Sequence, residues 1–352
     1  MTRPTVRFAV VRMNHHHIYA QVDMLLAAGG ELAAFYAPEA ELAGPFAARY
    51  PQARRASTEE EILEDATIQL VVTSAVPCDR APLGIRVMQC GKDFQTDKPG
   101  FTTLEQLAAV REVQAETGRI YSISYNERLQ VRAAVKAGEL IRQGAVGPVL
   151  QMTGLGPHRA HPPAREPWFF DRNQYGGILA DIASHQFDQF LYYTGSTQAV
   201  VVASQVGNLG HPQHPGFEDF GDVMLRGDGG LGYIRVDWFT PQGLGVWGDG
   251  RTCVIGADGY IELRKYIDVA GRPGGDHLFL VDHAGIRYID CADVELPYGR
   301  QLLDDIVNRT ETAQSQTQAF LASELALTAQ AHATRVDRDA RRPLPAPPEA
   351  LT

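Results

Sequence analysis

The sequence predicts a two-part fold. An α/β half built on a doubly wound parallel sheet is followed by an α+β half with a large, mostly antiparallel open sheet and helices on one face. Three observations carry this. Short β-rich runs alternate with helical patterns up to residue 125. After Asn126 the strand candidates follow one another with little helix between them. The chain's 352 residues, 44% of them hydrophobic, exceed one average domain and suffice for two cores. The expected domains are residues 1–126 and 127–352, with the last helical block, 317–334, packing back on the first.

In the first half the strand candidates are Val6–Val11, Leu32–Tyr36, Leu70–Ser74, Asp93–Thr96 and Ile120–Tyr125. Between them lie helical patterns at Tyr19–Ala28, Glu39–Arg49, Glu59–Asp65, Ala81–Cys90 and Leu104–Thr117. This alternation gives a Rossmann-like parallel sheet, which binds ligands at the carboxyl ends of its strands beside the switch point. A helix (Val131–Gln143), a strand (Val149–Leu155) and a Pro-, His- and Arg-rich loop open the second half. A Gly-Gly turn then starts a helix, and strands follow at Ala199–Val206, Asp219–Leu225, Leu231–Trp238, Arg251–Gly256, Gly259–Arg264, His277–Val281 and Ile286–Asp290. Turns such as Gly227-Asp228-Gly229-Gly230 and Ala257-Asp258-Gly259 separate them. A helical block, Thr317–Thr334, comes last, before a Pro-rich stretch at Arg342–Pro348 with a disordered composition.

A net charge of −10 argues against nucleic-acid partners, which favour a basic face. No apolar run reaches spanning length, so a membrane location is not expected. Four cysteines without CxxC spacing (Cys78, Cys90, Cys253, Cys291) read as reduced, mostly buried thiols of a cytoplasmic protein. Only four residues are lysine, at 92, 98, 136 and 265, so a lysine inside a motif is less readily surface filler.

Five segments carry candidate chemistry. Thr96-Asp97-Lys98-Pro99-Gly100 follows a parallel strand, where a lysine can hydrogen-bond a cofactor ribose and polarise a substrate oxygen; an ordinary strand-end turn also explains its Pro and Gly. In Gly176-Gly177-Ile178-Leu179-Ala180-Asp181-Ile182-Ala183-Ser184-His185-Gln186-Phe187-Asp188, helical spacing puts Asp181, His185 and Asp188 on one face. Neutral histidine suits proton removal from an alcohol, and an adjacent carboxylate can orient it or hold a second hydroxyl. Here His185 and Asp181 take the chemistry and Asp188 supports them.

The loop Arg12-Met13-Asn14-His15-His16-His17 stands where a Gly-x-Gly-x-x-Gly fingerprint is expected, with Arg12, Asn14 and His17 in the glycine slots. Arg12, Asn14 and the histidines are candidates for phosphate or substrate contact at a helix N-terminus. No metal is expected, because adjacent side chains point apart and ligand-spaced Cys or carboxylate partners are missing. At the end of the second strand the ribose-binding slot is Ala37, with Glu39 two residues late and no following Arg for a 2′-phosphate. Finally His158, Arg159 and Trp168 lie on loops flanking the Gly-Gly helix and are candidate substrate contacts.

In their order and spacing, these motifs resemble the glucose–fructose oxidoreductase / inositol dehydrogenase family (Gfo/Idh/MocA) over about residues 5–335. The resemblance implies an NAD- or NADP-dependent oxidoreductase moving hydride between nicotinamide and a secondary alcohol or ketone of a sugar, cyclitol or related polyol. Asp97-Lys98-Pro99 matches the family's Glu-Lys-Pro, making Lys98 the active-site lysine and Asp97 a neighbour of the nicotinamide ribose. Asp181 and His185 match its catalytic Asp and His. Asn126 borders the site after the sixth strand, and Ala75 follows the fourth on the cofactor side. Arg80 stands where a His is common. The family also implies a small sugar-like substrate and a homodimer or homotetramer joined through the open sheet. A non-redox lyase, isomerase or hydrolase on the same fold, and a non-enzymatic sugar-binding protein, are the alternatives.

Overall fold

The computed structural model describes residues 4–161 and 165–336. The Pro-rich stretch Arg342–Pro348 lies outside them. The first half runs β1 (Arg7–Val11), α1 (His17–Ala27), β2 (Glu31–Tyr36), α2 (Ala40–Arg49), β3 (Arg54–Arg55), α3 (Glu60–Leu63), β4 (Leu70–Thr73), α4 (Pro77–Gln89), β5 (Asp93–Asp97), α5 (Leu104–Thr117) and β6 (Tyr121–Ser124). The six strands are all parallel in the order β3-β2-β1-β4-β5-β6. The chain reverses its direction of winding between β1 and β4, which opens a crevice at their carboxyl ends.

Local signals explain these elements. Strands β4, β5 and β6 are buried throughout, as expected of a parallel sheet covered on both faces. Helix α5 has the bounds its sequence predicts because both ends are capped: Thr103 accepts from Gln106 N, and Gly118 ends it in the left-handed region at φ 62°. The two-residue strand β3 escapes sequence reasoning because a pair of exposed arginines has no apolar alternation.

The second half runs α6 (Asn126–Leu129), α7 (Arg132–Arg142), β7 (Val149–Pro157), α8 (Arg172–Tyr175), α9 (Ile178–Asp181), α10 (Ser184–Thr194), β8 (Ala199–Gly207), β9 (Phe220–Gly227), β10 (Leu231–Asp237), β11 (Arg251–Gly256), β12 (Gly259–Arg264), β13 (His277–Asp282), β14 (Gly285–Ile289), α11 (Tyr298–Asn308), α12 (Gln316–Ala331) and β15 (Thr334–Val336). Nine strands pair in the order β14-β13-β12-β11-β7-β10-β9-β8-β15, antiparallel except for β10 with β7 and β15 with β8. Helices α10 and α12 lie on one face. The other face exposes apolar side chains, among them Leu150, Val200, Val202, Met224, Leu231 and Ile255.

Three expectations need correction. The helix after Gly176-Gly177 is broken: α9 ends at Asp181 and α10 starts at Ser184, with Ala183 N donating to Ile178 O and His185 N to Ile182 O. The closing helix stops at Ala331, and residues 334–336 become an edge strand. The cysteines are free but not mostly buried; Cys291 is buried, Cys78 and Cys253 are half-buried and Cys90 is exposed. Helix α11 has no counterpart in the sequence reading. Among the described residues, no helix is long and apolar enough to cross a membrane.

The last helix joins the two sheets. Gln314 and Gln316 hydrogen-bond the backbone of β6 from the side, at 2.9 Å to Ile123 N and 2.8 Å to Tyr121 N, closing that edge. At its other end Gln330 accepts from Leu179 N at 2.8 Å and donates to Glu218, which accepts from Ile178 N at 3.0 Å. These two side chains satisfy the first amides of α9. The approach requires glycine at 177, which has φ +97° and where a Cβ would stand 2.3 Å from Gln330 Cδ. Gly177→Ala is therefore expected to cost about 1–3 kcal/mol, read as a lower thermal midpoint. An unchanged midpoint would contradict this role for the glycine.

Candidate active site

The crevice of the first sheet meets the second half in a cavity of about 180 Å³. One wall is the loop after β5. Lys98 and Asp97 emerge there, both buried, and Arg80 of α4 holds the loop from beneath. Fully buried Arg80 donates to Ala75 O at 2.7 Å, to the carbonyls of Lys98 and Pro99, and to Asp97 Oδ2 at 3.4 Å. One guanidinium thus ties the end of β4 to the end of β5. Its five fixed donors suit that task, as a shorter side chain would not.

The opposite wall is the α9–α10 break. Lys98 Nζ donates to Asp181 Oδ1 at 2.8 Å, with the two residues 7% and 9% exposed. His185, 2% exposed, lines the same cavity, and its Nδ1 has no hydrogen-bond partner among the described residues. Burial holds its pKa well below the usual histidine range; the Lys98 charge adds to this and Glu127 opposes it. The imidazole is therefore neutral at pH 7, with one ring nitrogen available to accept a proton.

Asp188 does not share this face. The turn at Ile182-Ala183 rotates α10 relative to α9, and Asp188 instead accepts from Arg128 at 2.5 and 2.8 Å, behind the cavity. A second buried pair lies under His185. Lys265 Nζ donates to Glu127 Oε2 at 2.7 Å and to Gln189 Oε1 at 2.8 Å. Burial would raise the Glu127 pKa, but the Lys265 charge prevails and brings it down to about 2. Neither Glu127 nor Lys265 stands out in the sequence, since each sits beside an arginine and reads as part of an ordinary charged pair.

The third wall is aromatic. All three tryptophans of the chain, Trp168, Trp238 and Trp247, line the cavity with Phe169. His158 packs its ring tilted against Trp247 at 4.4 Å and edge-to-face with Trp238 at 5.3 Å, and donates from Nδ1 to Gly156 O. Burial lowers its pKa to about 4. Arg165 lies over Phe169 at 4.4 Å, and Arg159 is held by backbone carbonyls including Val246 O at 2.5 Å. Trp238 and Trp247 escape the sequence reading because they lie far along the chain from the motifs, and Arg165, between the His158–Arg159 and Trp168 loops, carries no signal of its own.

Of the sequence candidates, Lys98, Asp97, Asn126, His15, His16, His158, Arg159, Trp168, Asp181 and His185 meet at this cavity. Arg12, Asn14, Ala37 and Ala75 do not line it. Arg12, at φ 60°, pairs with Glu59 and Asp79. Asn14 donates to Glu39 Oε1 at 3.2 Å, so the late acidic residue reaches back toward the β1–α1 loop. Ala37 borders a separate groove with Tyr36, Pro38, Arg55 and Ser57, so an arginine does follow β2 in space, supplied by β3. Ala75 is buried and acts through its backbone.

One geometric premise fails outright. The rings of His15, His16 and His17 do not diverge: their centroids are 4.1–4.8 Å apart. His17 Nδ1 donates to Asp97 Oδ1 at 3.0 Å. Burial alone would raise the Asp97 pKa, but His17 and Arg80 hold it well below the carboxylate range.

Buried His185 and half-buried His15 and His158 impose a pH signature. In the unfolded chain these rings protonate near pH 6.5, whereas burial depresses His15, His158 and His185 in the folded state. The unfolded state then binds more protons below about pH 6.5. Stability is thus complete above that value and declines as pH falls toward the folded-state values. Thermal melts between about pH 7.5 and 4.5 are expected to show this decline, flattened in His158→Phe, which keeps the aromatic packing but cannot protonate. A slope unchanged in that variant would contradict the assignment.

Comparisons with known proteins agree with this architecture. The GFO/IDH/MocA C-terminal domain profile matches residues 134–262. A crystal structure from Erwinia carotovora atroseptica SCRI1043, provisionally designated an oxidoreductase, is 46% identical, with a TM-score of 0.92 over 94% of this chain and 100% of that chain. Levoglucosan dehydrogenase in complex with NADH and L-sorbose shares the fold at 18% identity, with a TM-score of 0.75 over 93% of this chain and 97% of that one. The NAD+-dependent scyllo-inositol 2-dehydrogenase of Bacillus subtilis is 28% identical over 207 residues, 57% of this chain and 56% of that protein. The chain spans about half the length of the curated relatives it matches. With a parallel sheet meeting a nine-stranded open sheet at the Asp97-Lys98-Pro99 and Asp181–His185 walls, the chain belongs to the Gfo/Idh/MocA oxidoreductase family.

Proposed function

We propose that this chain is a nicotinamide-dependent oxidoreductase acting on a secondary alcohol or ketone of a sugar or cyclitol. The observation that carries the reading is the Lys98–Asp181 pair at 2.8 Å beside neutral His185, in a cavity walled by every tryptophan of the chain. Flat aromatic walls accept the apolar faces of a sugar ring, while a few convergent polar groups fix its hydroxyls. The levoglucosan dehydrogenase that shares the fold holds NADH and L-sorbose, and a matched relative is an inositol dehydrogenase.

The residues fit a dinucleotide at both ends. Asp97, Lys98 and Asn126 would meet its nicotinamide end, and the groove of Ala37, Arg55 and Ser57 its adenosine end. Between them lies the start of α1, which carries no acidic residue in its first turn and so favours an anion, with Arg12, Asn14, His15 and His16 alongside. When bound, the nicotinamide supplies the hydride acceptor or donor.

The chain's own residues handle the oxygen and its proton. Lys98 donates to the reacting oxygen and stabilises the negative charge that grows on it. Asp181 holds the ammonium in place and has a second oxygen for a neighbouring hydroxyl. His185 takes the hydroxyl proton on oxidation and returns it on reduction. The buried Glu127 carboxylate steadies the imidazolium once it forms. Substrate packed against Trp168, Trp238 and Trp247 excludes water from these steps.

The assay is nicotinamide reduction with NAD+ and NADP+ against cyclitols and aldoses. Lys98→Met and His185→Asn are each expected to lower kcat by about 10²–10⁴-fold. Turnover without nicotinamide, or full activity in both variants, would overturn the reading and favour a lyase, isomerase or hydrolase.

The same reading includes self-association through the open sheet. Its outer face exposes Leu150 (53%), Val202 (57%), Met224 (54%) and Leu231 (51%), a concentration of apolar side chains that a monomer seldom shows. Light scattering is expected to give a dimer or tetramer, and Val202→Glu with Met224→Glu a smaller species. A wild-type monomer at high concentration would contradict it.

A further inference from the structure

We propose that His15, His16 and His17 form a binding site for one zinc-class divalent metal ion, with Asp97 orienting the ligands from behind. One ring nitrogen from each histidine lies within 4.8 Å of the other two. Two nitrogens on a tetrahedral ion at about 2.0–2.1 Å are about 3.4 Å apart, so closure of about 1.4 Å at the widest pair completes the site. Small rotations about the side-chain bonds supply that.

The backbone brings the three rings together. Residues 15–17 turn into the start of α1, with His16 in the right-handed region at φ −64°, ψ −13°. His15 N donates to Ser74 O at 3.0 Å and Ser74 Oγ to His15 O at 2.7 Å, which pins the turn to the end of β4. In this turn, ahead of regular helix, the three consecutive rings come within 4.1–4.8 Å of one another.

Asp97 is the independent observation. Its buried carboxylate can only accept, and it faces Nδ1 of His17 at 3.0 Å and Nδ1 of His15 at 3.5 Å. Arg80 holds its far side. A carboxylate taking the second ring proton is the arrangement that fixes the tautomer of metal-bound histidines. It leaves Nε2 of His17 as a lone-pair donor, while Nδ1 of His15 already presents its lone pair, accepting from His17 N at 3.3 Å.

Three neutral imidazoles select zinc, cobalt, nickel or copper over calcium or magnesium, which need oxygen ligands. The cluster lines the same cavity as Lys98, Asp181 and His185, so the remaining coordination position opens toward the space where a substrate or phosphate oxygen would lie. The site shares His15, His16 and Asp97 with the nucleotide path proposed above, but metal binding is measured without nucleotide and stands if that reading falls.

The test uses the full chain without a polyhistidine tag, stripped with chelator and titrated with Zn²⁺ and with Co²⁺. Calorimetry and elemental analysis are expected to give one equivalent that survives dialysis, and Co²⁺ to show ligand-field bands. His17→Ala and His15→Ala are expected to lose at least tenfold in affinity, and Asp97→Asn about 10–100-fold. His16→Asn alters an exposed side chain, so it decides the matter if the variants at half-buried His15 and His17 or at buried Asp97 fail to fold. Less than a tenth of an equivalent bound to wild type, or equal binding by His16→Asn, overturns the proposal. If the histidine variants instead lose NAD(P)H binding while wild type takes up no metal, the cluster is a phosphate cradle and the metal site is refuted.

Discussion

The Lys98–Asp181 ion pair is the contact on which the rest of the molecule depends. It is formed at 2.8 Å between the end of a parallel strand and the last turn of a four-residue helix, and it brings the two sheets together at one point. Removing two charges from water is costly, and one such pair is worth little as a source of stability. Its value lies in geometry: it fixes an ammonium and a carboxylate where a small polar ligand would meet both. Much of the surrounding architecture maintains this position. Arg80 clamps the Lys98 loop, and Gln330, Glu218 and the left-handed Gly176-Gly177 turn set the start of α9.

A second layer of buried charge controls protonation. Lys265 keeps Glu127 ionised beneath His185, and Arg128 neutralises Asp188 behind α10. The balance leaves His185 neutral yet close to a carboxylate that favours its protonated form. That is the condition a reversible proton acceptor needs. The tryptophan wall adds dryness and shape without adding charge.

The α/β half was legible because strand and helix periods differ and because parallel strands read as continuous apolar runs. The bounds of α5 followed from Thr103 and Gly118, residues whose capping chemistry is local. The Lys98 and Asp181–His185 walls were legible as motifs. Asp188 was misplaced because a helical wheel assumes a continuous helix, and hydrogen bonding at Ile178–Gln186 breaks it. The histidine run was misjudged because the divergence of neighbouring side chains holds for regular strand and helix, whereas residues 15–17 sit in an irregular turn pinned to Ser74. Glu127, Lys265, Trp238 and Trp247 were not legible as site residues because each acts through a partner far away in the chain. Nothing local distinguishes Lys265 from a solvated lysine until Glu127, 138 residues away, is seen to receive it.

The central claim is that the cleft between Lys98 and His185 receives a nicotinamide beside the tryptophan wall. The most direct measurement is the intrinsic fluorescence of the chain during titration with NADH and NADPH, since all of its tryptophans line that cleft. The account requires saturable quenching by at least one of the two, at one equivalent per chain, with energy transfer to the reduced ring. Unquenched tryptophan emission at millimolar concentrations of both nucleotides would contradict it.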